Sequence, residues 1–255
     1  MLRSNIVYSP TEVAKMSIKE MFIENYCPIS ADRISFTRQQ GSDFAKQVAD
    51  DFNPLHNIDA KRFCVPGDLL FSIIIAKSGL HKKMTFDFSG MVSDDVHLTF
   101  PQKIDNSFDI KDDKDKTCLS VHVSGEKTHD SSLINALTKA YVDFSGHTFP
   151  DILVKLMADN SVMINPARPM VMYQSMSIDL HTLEAETVTL QLAKTSLLIE
   201  GKRGDAWLEF DLLSNDKVIG HGKKHMLLSG LRTYEQETID TMVNQYRDSK
   251  KNYQA

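Results

Sequence analysis

Two separate series of polar–apolar alternation constrain this chain more than any other feature. In the first, Phe86 and Phe88, then Val96, Leu98 and Phe100, then Phe108 and Ile110, then Leu119, Val121 and Val123 put an apolar side chain at every second position. Period two aims such side chains at one face of an extended strand, so the pattern predicts strands with one buried face. A second series repeats the scheme: Met170, Met172, Met176 and Ile178, then Val188, Leu190 and Leu192, then Ala206, Leu208, Phe210 and Leu212. A last strand is expected from about Val218 to Leu228. The charged run Asp112–Lys116 and the segments Gly201–Gly204 and Ser214–Lys217 read as turns between strands.

Helical sequence precedes each series. Ser42 is placed to cap a helix over Asp43–Asp50, with Phe44 and Val48 on one face. Pro66-Gly67 then opens a segment that closes at Gly79. Within it Leu69–Ala76 is apolar nearly all round, apart from Ser72. A helix without a polar face has to be wrapped by other elements. In the second half, Ser131–Phe144 and Pro150–Ala158 read as a first and a second helix. Asp51-Phe52 finds a counterpart in Asp143-Phe144, and Pro66-Gly67-Asp68-Leu69-Leu70 in Pro150-Asp151-Ile152-Leu153, a faint internal repeat. A long helix wrapped by a curved antiparallel sheet, occurring twice, is the double hotdog arrangement, an α+β fold. A generic α+β fold with one sheet is its alternative. The expected organisation is an N-terminal extension over residues 1–32, a first hotdog unit over 33–128, a second over 129–232, and a C-terminal helix and tail over 233–255. Both central helices should be largely buried, and the two sheets should join side by side.

Composition narrows the class. The 255 residues are 42% apolar, enough for a well-buried core. A net charge of −5 leaves no basic footprint for nucleic acid. No apolar run is long enough to span a bilayer, and no secretory pattern opens the chain. Cys27, Cys64 and Cys118 are scattered and odd in number, which fits free thiols in a reducing, cytoplasmic compartment. No metal-ligand spacing, P-loop, dinucleotide fingerprint or nucleophile elbow occurs, so no metal or cofactor is expected.

The segment that can carry chemistry is Asp51-Phe52-Asn53-Pro54-Leu55-His56. Pro54 has no backbone N–H and pushes Asn53 out of the helical region, so the preceding helix must stop here. The turn that follows can aim Asp51 and His56 into one cleft. A buried carboxylate at a helix C-terminus has its pKa raised, which suits a general base. The plainer reading is that Asp51, Asn53 and His56 are ordinary turn residues. Over about Ile34 to Phe100 the sequence resembles the MaoC-like proteins and (R)-specific enoyl-CoA hydratases, in which a helix ends in Asp, followed by Asn-Pro and by His five residues after the Asp. The whole chain also resembles a small, uncharacterised gammaproteobacterial family.

The resemblance implies hydration of a trans-2-enoyl thioester carried by coenzyme A or acyl carrier protein, by an enzyme without a cofactor that can form a homodimer. Asp51 and His56 would hold the water between them, Asp51 as base. Asn53, Gly67 and Asp68 would line the substrate site, with the Gly67 amide polarising the thioester carbonyl. The chain departs from the pattern at Pro66-Gly67-Asp68, where the family has His-Gly-Met. Asp68 at a helix start is expected to cap the amides that an enolate oxygen needs. Two further readings therefore stand beside hydration: a hotdog protein that binds an acyl thioester or another hydrophobic ligand without chemistry, and a hotdog thioesterase. Lys61 and Arg62 could meet coenzyme A phosphates or be solvated surface charge. His221 and His225 share a strand face with no carboxylate evident in the pattern. His147 near Asp143 reads as a relic of a second site.

Overall fold

A computed structural model describes residues 21–27 and 30–253. Most of the expected N-terminal extension, residues 1–20, lies outside the described residues, as do the last two residues of the tail. In chain order the elements are β1 (Arg33–Ile34), α1 (Arg38–Asp43), α2 (Gly67–Ser78), β2 (Leu80–Phe88), β3 (Leu98–Thr99), β4 (Ser107–Lys111), β5 (Thr117–Thr128), α3 (Ser131–Gly146), α4 (Leu153–Asp159), β6 (Val162–Met163), β7 (Val171–Leu180), β8 (Thr189–Glu200), β9 (Arg203–Ser214), β10 (Lys217–Ser229), β11 (Arg232–Thr233) and α5 (Gln236–Lys251).

The chain is α+β. Nine strands form one antiparallel sheet in the order β1-β3-β4-β5-β2-β7-β10-β9-β8. The two strand series meet where β2 pairs with β7, from Lys83 opposite Asp179 to Asp87 opposite Ser175. Asn215 and Asp216 both have positive φ at the β9–β10 hairpin, the backbone that a two-residue turn demands. The alternation predicted for Ala206, Leu208, Phe210 and Leu212 appears as four buried side chains on β9.

Helix α2 lies where its composition requires. Every residue from Leu69 to Ala76 is buried, and Ser72 is accommodated by donating to the Asp68 carbonyl at 2.6 Å. Phe71 packs between Phe86 of β2 and Tyr141 of α3. The helix ends at Gly79, whose φ of 83° few other residues adopt.

Three local expectations differ from the structure. The helix before Asp51 starts earlier: Thr37 caps α1 in a capping box with Gln40, and Ser42 is buried inside it. A wider π turn over Phe44–Val48 then carries the chain on to Asp51. The second unit's expected central helix over Pro150–Ala158 is also different. Regular α-helix begins only at Leu153, and α4 buries one side, through Leu153, Leu156 and Met157. Lys155, Ala158 and Asp159 face solvent, because this short segment lacks the all-round apolar character of α2. The second half's long helix is α3, which packs on α2 and β8. Two apolar cores result: one around α2 and α3, and a smaller one joining α4, α5, β9 and β10.

Because α2 has no solvent face, Ile73→Ala, Ile74→Ala and Ile75→Ala should each cost about 2–5 kcal/mol. Urea unfolding checks this. One near-neutral substitution among the three would mean that a side of α2 is exposed.

Candidate active site

The Asp51–His56 segment is positioned from three sides. Asp50 turns the chain with a φ of 53°, and the Asp51 amide donates back to the Ala45 carbonyl at 2.8 Å. Pro54–His56 forms a 3-10 turn capped by Asn53, whose side chain accepts from the Leu55 amide at 3.1 Å. The C-terminal end of α3 is pressed against the same turn: a Cβ at Gly146 would lie 1.5 Å from the Ala49 carbonyl oxygen. From α5, the Tyr246 hydroxyl accepts from the Phe52 amide at 3.1 Å and sits 3.5 Å from Asp51 Oδ1.

These constraints bring Asp51 and His56 together. Asp51 Oδ2 lies 3.7 Å from His56 Nε2, and neither side chain is more than 21% exposed. Asp51 Oδ1 accepts from the Asn53 amide at 2.9 Å. His56 Nδ1 is 2.7 Å from the Cys64 carbonyl. A carbonyl only accepts, so Nδ1 carries the proton, and in the neutral ring Nε2 turns a lone pair towards Asp51. Burial raises the Asp51 pKa above the usual carboxylate value; His56 and the Asn53 amide oppose the rise without cancelling it. Cys64 is no competing nucleophile, since burial pushes its thiol up to about 11.

The pair opens onto a cavity of about 1060 Å³ between the two cores. Asn53 and Gly67 line it beside Asp51 and His56, and the remaining wall is mainly apolar, with Leu70, Phe88, Leu153, Ile164, Met172 and Met226. Helix α5 closes one side through Met242 and Tyr246.

Asp68 does not do what its sequence position suggests. Its side chain makes no capping bond to α2, for Oδ1 has no hydrogen-bond partner. It is buried, and Oδ2 instead accepts from the Ser145 hydroxyl at 2.5 Å and the Tyr173 hydroxyl at 3.0 Å. Lys224 of β10, with no exposed surface, pairs with Asp68 Oδ1 at 3.7 Å and donates to Ser145 Oγ and, at 3.3 Å, to the Tyr173 hydroxyl. The physical reason is charge. An ammonium buried among apolar strands needs an anion, and Asp68 is the carboxylate within reach. Burial lowers the Lys224 pKa, against the pull of Asp68 and Asp51. Burial also pushes the Tyr173 phenol far up, so it stays protonated. Gly67 is a packing requirement here, because a Cβ on it would meet the Tyr173 ring at 2.5 Å.

Sequence reasoning missed Ser145, Tyr173 and Lys224. Lys224 had a readable signal: it shares the inward parity of Met226 and Leu228 on β10. Of the other candidates, Lys61 and Arg62 are exposed and do not line the cavity. His221 and His225 do have carboxylates, Asp211 and Asp205 across the strand pair, each at 2.7 Å. His147 is within 4 Å of Asp50, Asp143 and Asp151, half exposed and outside the cavity lining. Among the described residues, no group of three or more His, Cys, Asp or Glu side chains is arranged to hold a metal ion, and no helix is long and apolar enough to cross a membrane.

The family model described as "Protein of unknown function (DUF3581)" matches residues 21–237. This match does not support the MaoC-type hydratase family specifically. No curated protein matches the sequence. Among solved structures, the tesB protein of Mycobacterium avium subs. paratuberculosis is 7% identical, over 84% of this chain and 98% of that one, with a TM-score of 0.46. Acyl-CoA thioesterase II TesB2 from Mycobacterium marinum is 8% identical over 85% and 99%, with a TM-score of 0.41. An acyl-ACP thioesterase from Bacteroides thetaiotaomicron is 9% identical over 81% and 100%, with a TM-score of 0.40. Scores below one half do not establish a shared fold.

Lys224→Met leaves Asp68 buried without its counter-charge and should cost about 3–5 kcal/mol. Asp68→Asn strands Lys224 in the same way and should also destabilise, whereas a capping aspartate tolerates Asn with little loss. The double variant should recover much of the loss in urea unfolding. Additive losses would rule out the pairing.

Proposed function

The chain belongs to the family described as protein of unknown function (DUF3581), and we propose that its cavity binds an acyl thioester against which Asp51 and His56 activate one water. The observation that carries this is the meeting of the two side chains at 3.7 Å in the wall of a mainly apolar cavity. A water about 2.8 Å from both acceptors fits beside that gap. The apolar wall suits an acyl chain, and the amide end of α2 suits an oxyanion, because Asp68 does not cap it. Residues 33–128 and 129–232 are then two hotdog units joined at β2–β7, the second with a reduced central helix. Coenzyme A and acyl carrier protein both remain open as carriers.

Hydrolysis at the thioester carbonyl is the reading that the ring orientation favours. With Nδ1–H given to the Cys64 carbonyl, Nε2 is the His56 atom that faces Asp51, and it accepts a proton when the ring is neutral. Hydrolysis asks for an acceptor first. His56 takes a proton from water while the Asp51 carboxylate holds the imidazolium that forms, the oxygen attacks C1, and the thiolate leaves and recovers that proton. Thiols ionise near pH 8.5, so departure needs little acid help. Hydration at C3 of a 2-enoyl thioester is the second reading, favoured by the Asp51-Asn53-Pro54-His56 spacing. There the proton taken from water must be delivered to C2.

Asp51→Asn should lower turnover by roughly 10²–10⁴-fold and affect substrate affinity far less. Thiol release and loss of enoyl absorbance, measured in parallel with short to long acyl chains, tell the two reactions apart. Neither signal, with acyl-thioester binding retained, would leave a binding protein. In the wild type, activity should rise with pH through the raised Asp51 pKa, above the ordinary carboxylate range. The same group links to stability. A raised folded-state pKa contributes stability below the unfolded value, and that contribution is lost as pH rises through the folded value. Asp51→Asn should therefore raise the melting temperature at pH 7 but not at pH 3. An unchanged acid limb in the variant, or no pH-dependent difference in melting, would remove Asp51 from this role.

A further inference from the structure

Ser145 sits between a buried carboxylate and a buried ammonium at the cavity wall. It is the next-to-last residue of α3 and lines the cavity, with only 4% of its surface exposed. Its hydroxyl donates to Asp68 Oδ2 at 2.5 Å, while the Lys224 ammonium donates to the same Oγ and the Tyr173 hydroxyl touches it. A proton acceptor on one side and a buried cation on the other is the arrangement that turns a hydroxyl into a nucleophile. Asp68 and Lys224 together are neutral, so a proton can move from Ser145 to Asp68 while Lys224 holds the developing alkoxide. Tyr173 keeps its proton, because burial holds its phenol far above neutral pH. The Asp51 carboxyl feels the charges of both Asp68 and Lys224, which places the two clusters within electrostatic reach across one cavity wall.

Resting on the acyl-thioester reading, we propose that Ser145 is a catalytic nucleophile that takes the acyl group as a serine ester, and that the water on Asp51 and His56 releases it. In acylation, Ser145 Oγ attacks C1 and its proton passes to Asp68. The carbon–sulfur bond breaks, and the thiolate takes that proton from Asp68 to leave as a thiol. In deacylation, His56 takes a proton from water and the hydroxide attacks the ester carbonyl. The bond from carbon to Oγ breaks, the free acid leaves, and Ser145 regains a proton from His56. The enzyme returns to its starting state and one water is consumed.

The test uses the full chain with octanoyl- and palmitoyl-coenzyme A, reading thiol release and intact mass after rapid quenching. Asp51→Asn slows deacylation more than acylation, so this variant should release close to one thiol per chain in a burst and carry one acyl group, mapped by peptide mass to Ser145. Ser145→Ala should release thiol on the order of 10³-fold more slowly than wild type and carry no acyl group. Ser145→Cys, closer in shape, should again accept the acyl group. Thiol release by Ser145→Ala within a few-fold of wild type, or an adduct on another residue, would overturn the serine ester and leave direct water attack standing. Absence of thiol release from the wild type would overturn the hydrolytic reading and the serine ester with it. If Ser145→Ala does not fold, the Asp51→Asn adduct decides alone: a burst without an acyl-serine excludes the proposal.

Discussion

An ion pair without access to water ties the two halves of this molecule together. Asp68 enters at the first turn of α2, from the first strand series, and Lys224 enters from β10, in the second. Each is almost wholly buried, and either alone would be costly inside a protein. Their mutual dependence fixes the start of α2 against β10 and against the end of α3, where Ser145 bridges them. The Asp68 carboxylate takes its hydrogen bonds from Ser145 and Tyr173 and none from the amides of α2. A residue whose place in the sequence suggests a helix cap is, in the fold, the buried counter-charge of Lys224.

Much of the fold is legible because burial imposes short repeats. Ala206, Leu208, Phe210 and Leu212 alternate since β9 has one wet face, and Leu69–Ala76 do not alternate since α2 has none. Less legible is what depends on partners far away in the chain. Thr37 and Gln40 make a capping box that starts α1 earlier than Ser42 suggests, and no apolar period marks that start. Pro150 lies in a π turn rather than opening α4, whose exposed side carries Lys155, Ala158 and Asp159.

The candidate site divides in the same way. Asp51, Asn53, Pro54 and His56 lie within six residues, so local chain geometry can bring them together, and the stop enforced by Pro54 is written in the sequence. Ser145, Tyr173 and Lys224 come from three elements separated by tens of residues: β7 and β10 are neighbours in the sheet, and the end of α3 packs onto them. A trace of them exists nonetheless. A lysine at an inward position of β10 and an aspartate in a run with no solvent face are two opposite charges that each lack a local explanation. Pairing such orphans across elements is a physical inference that local pattern reading does not attempt.

The proposed function places the thioester group of an acyl substrate between the Asp51–His56 pair and the amide end of α2, with its chain in the apolar cavity. A crystal structure with a non-hydrolysable acyl-coenzyme A analogue, its thioester sulfur replaced by methylene, tests this most directly. The expected result is a carbonyl carbon within about 4 Å of a water held by Asp51 and His56, the carbonyl oxygen facing Gly67, and the chain along Leu153, Met172 and Met226. An acyl chain bound outside this cavity, or a carbonyl turned away from Asp51 and His56, would contradict it.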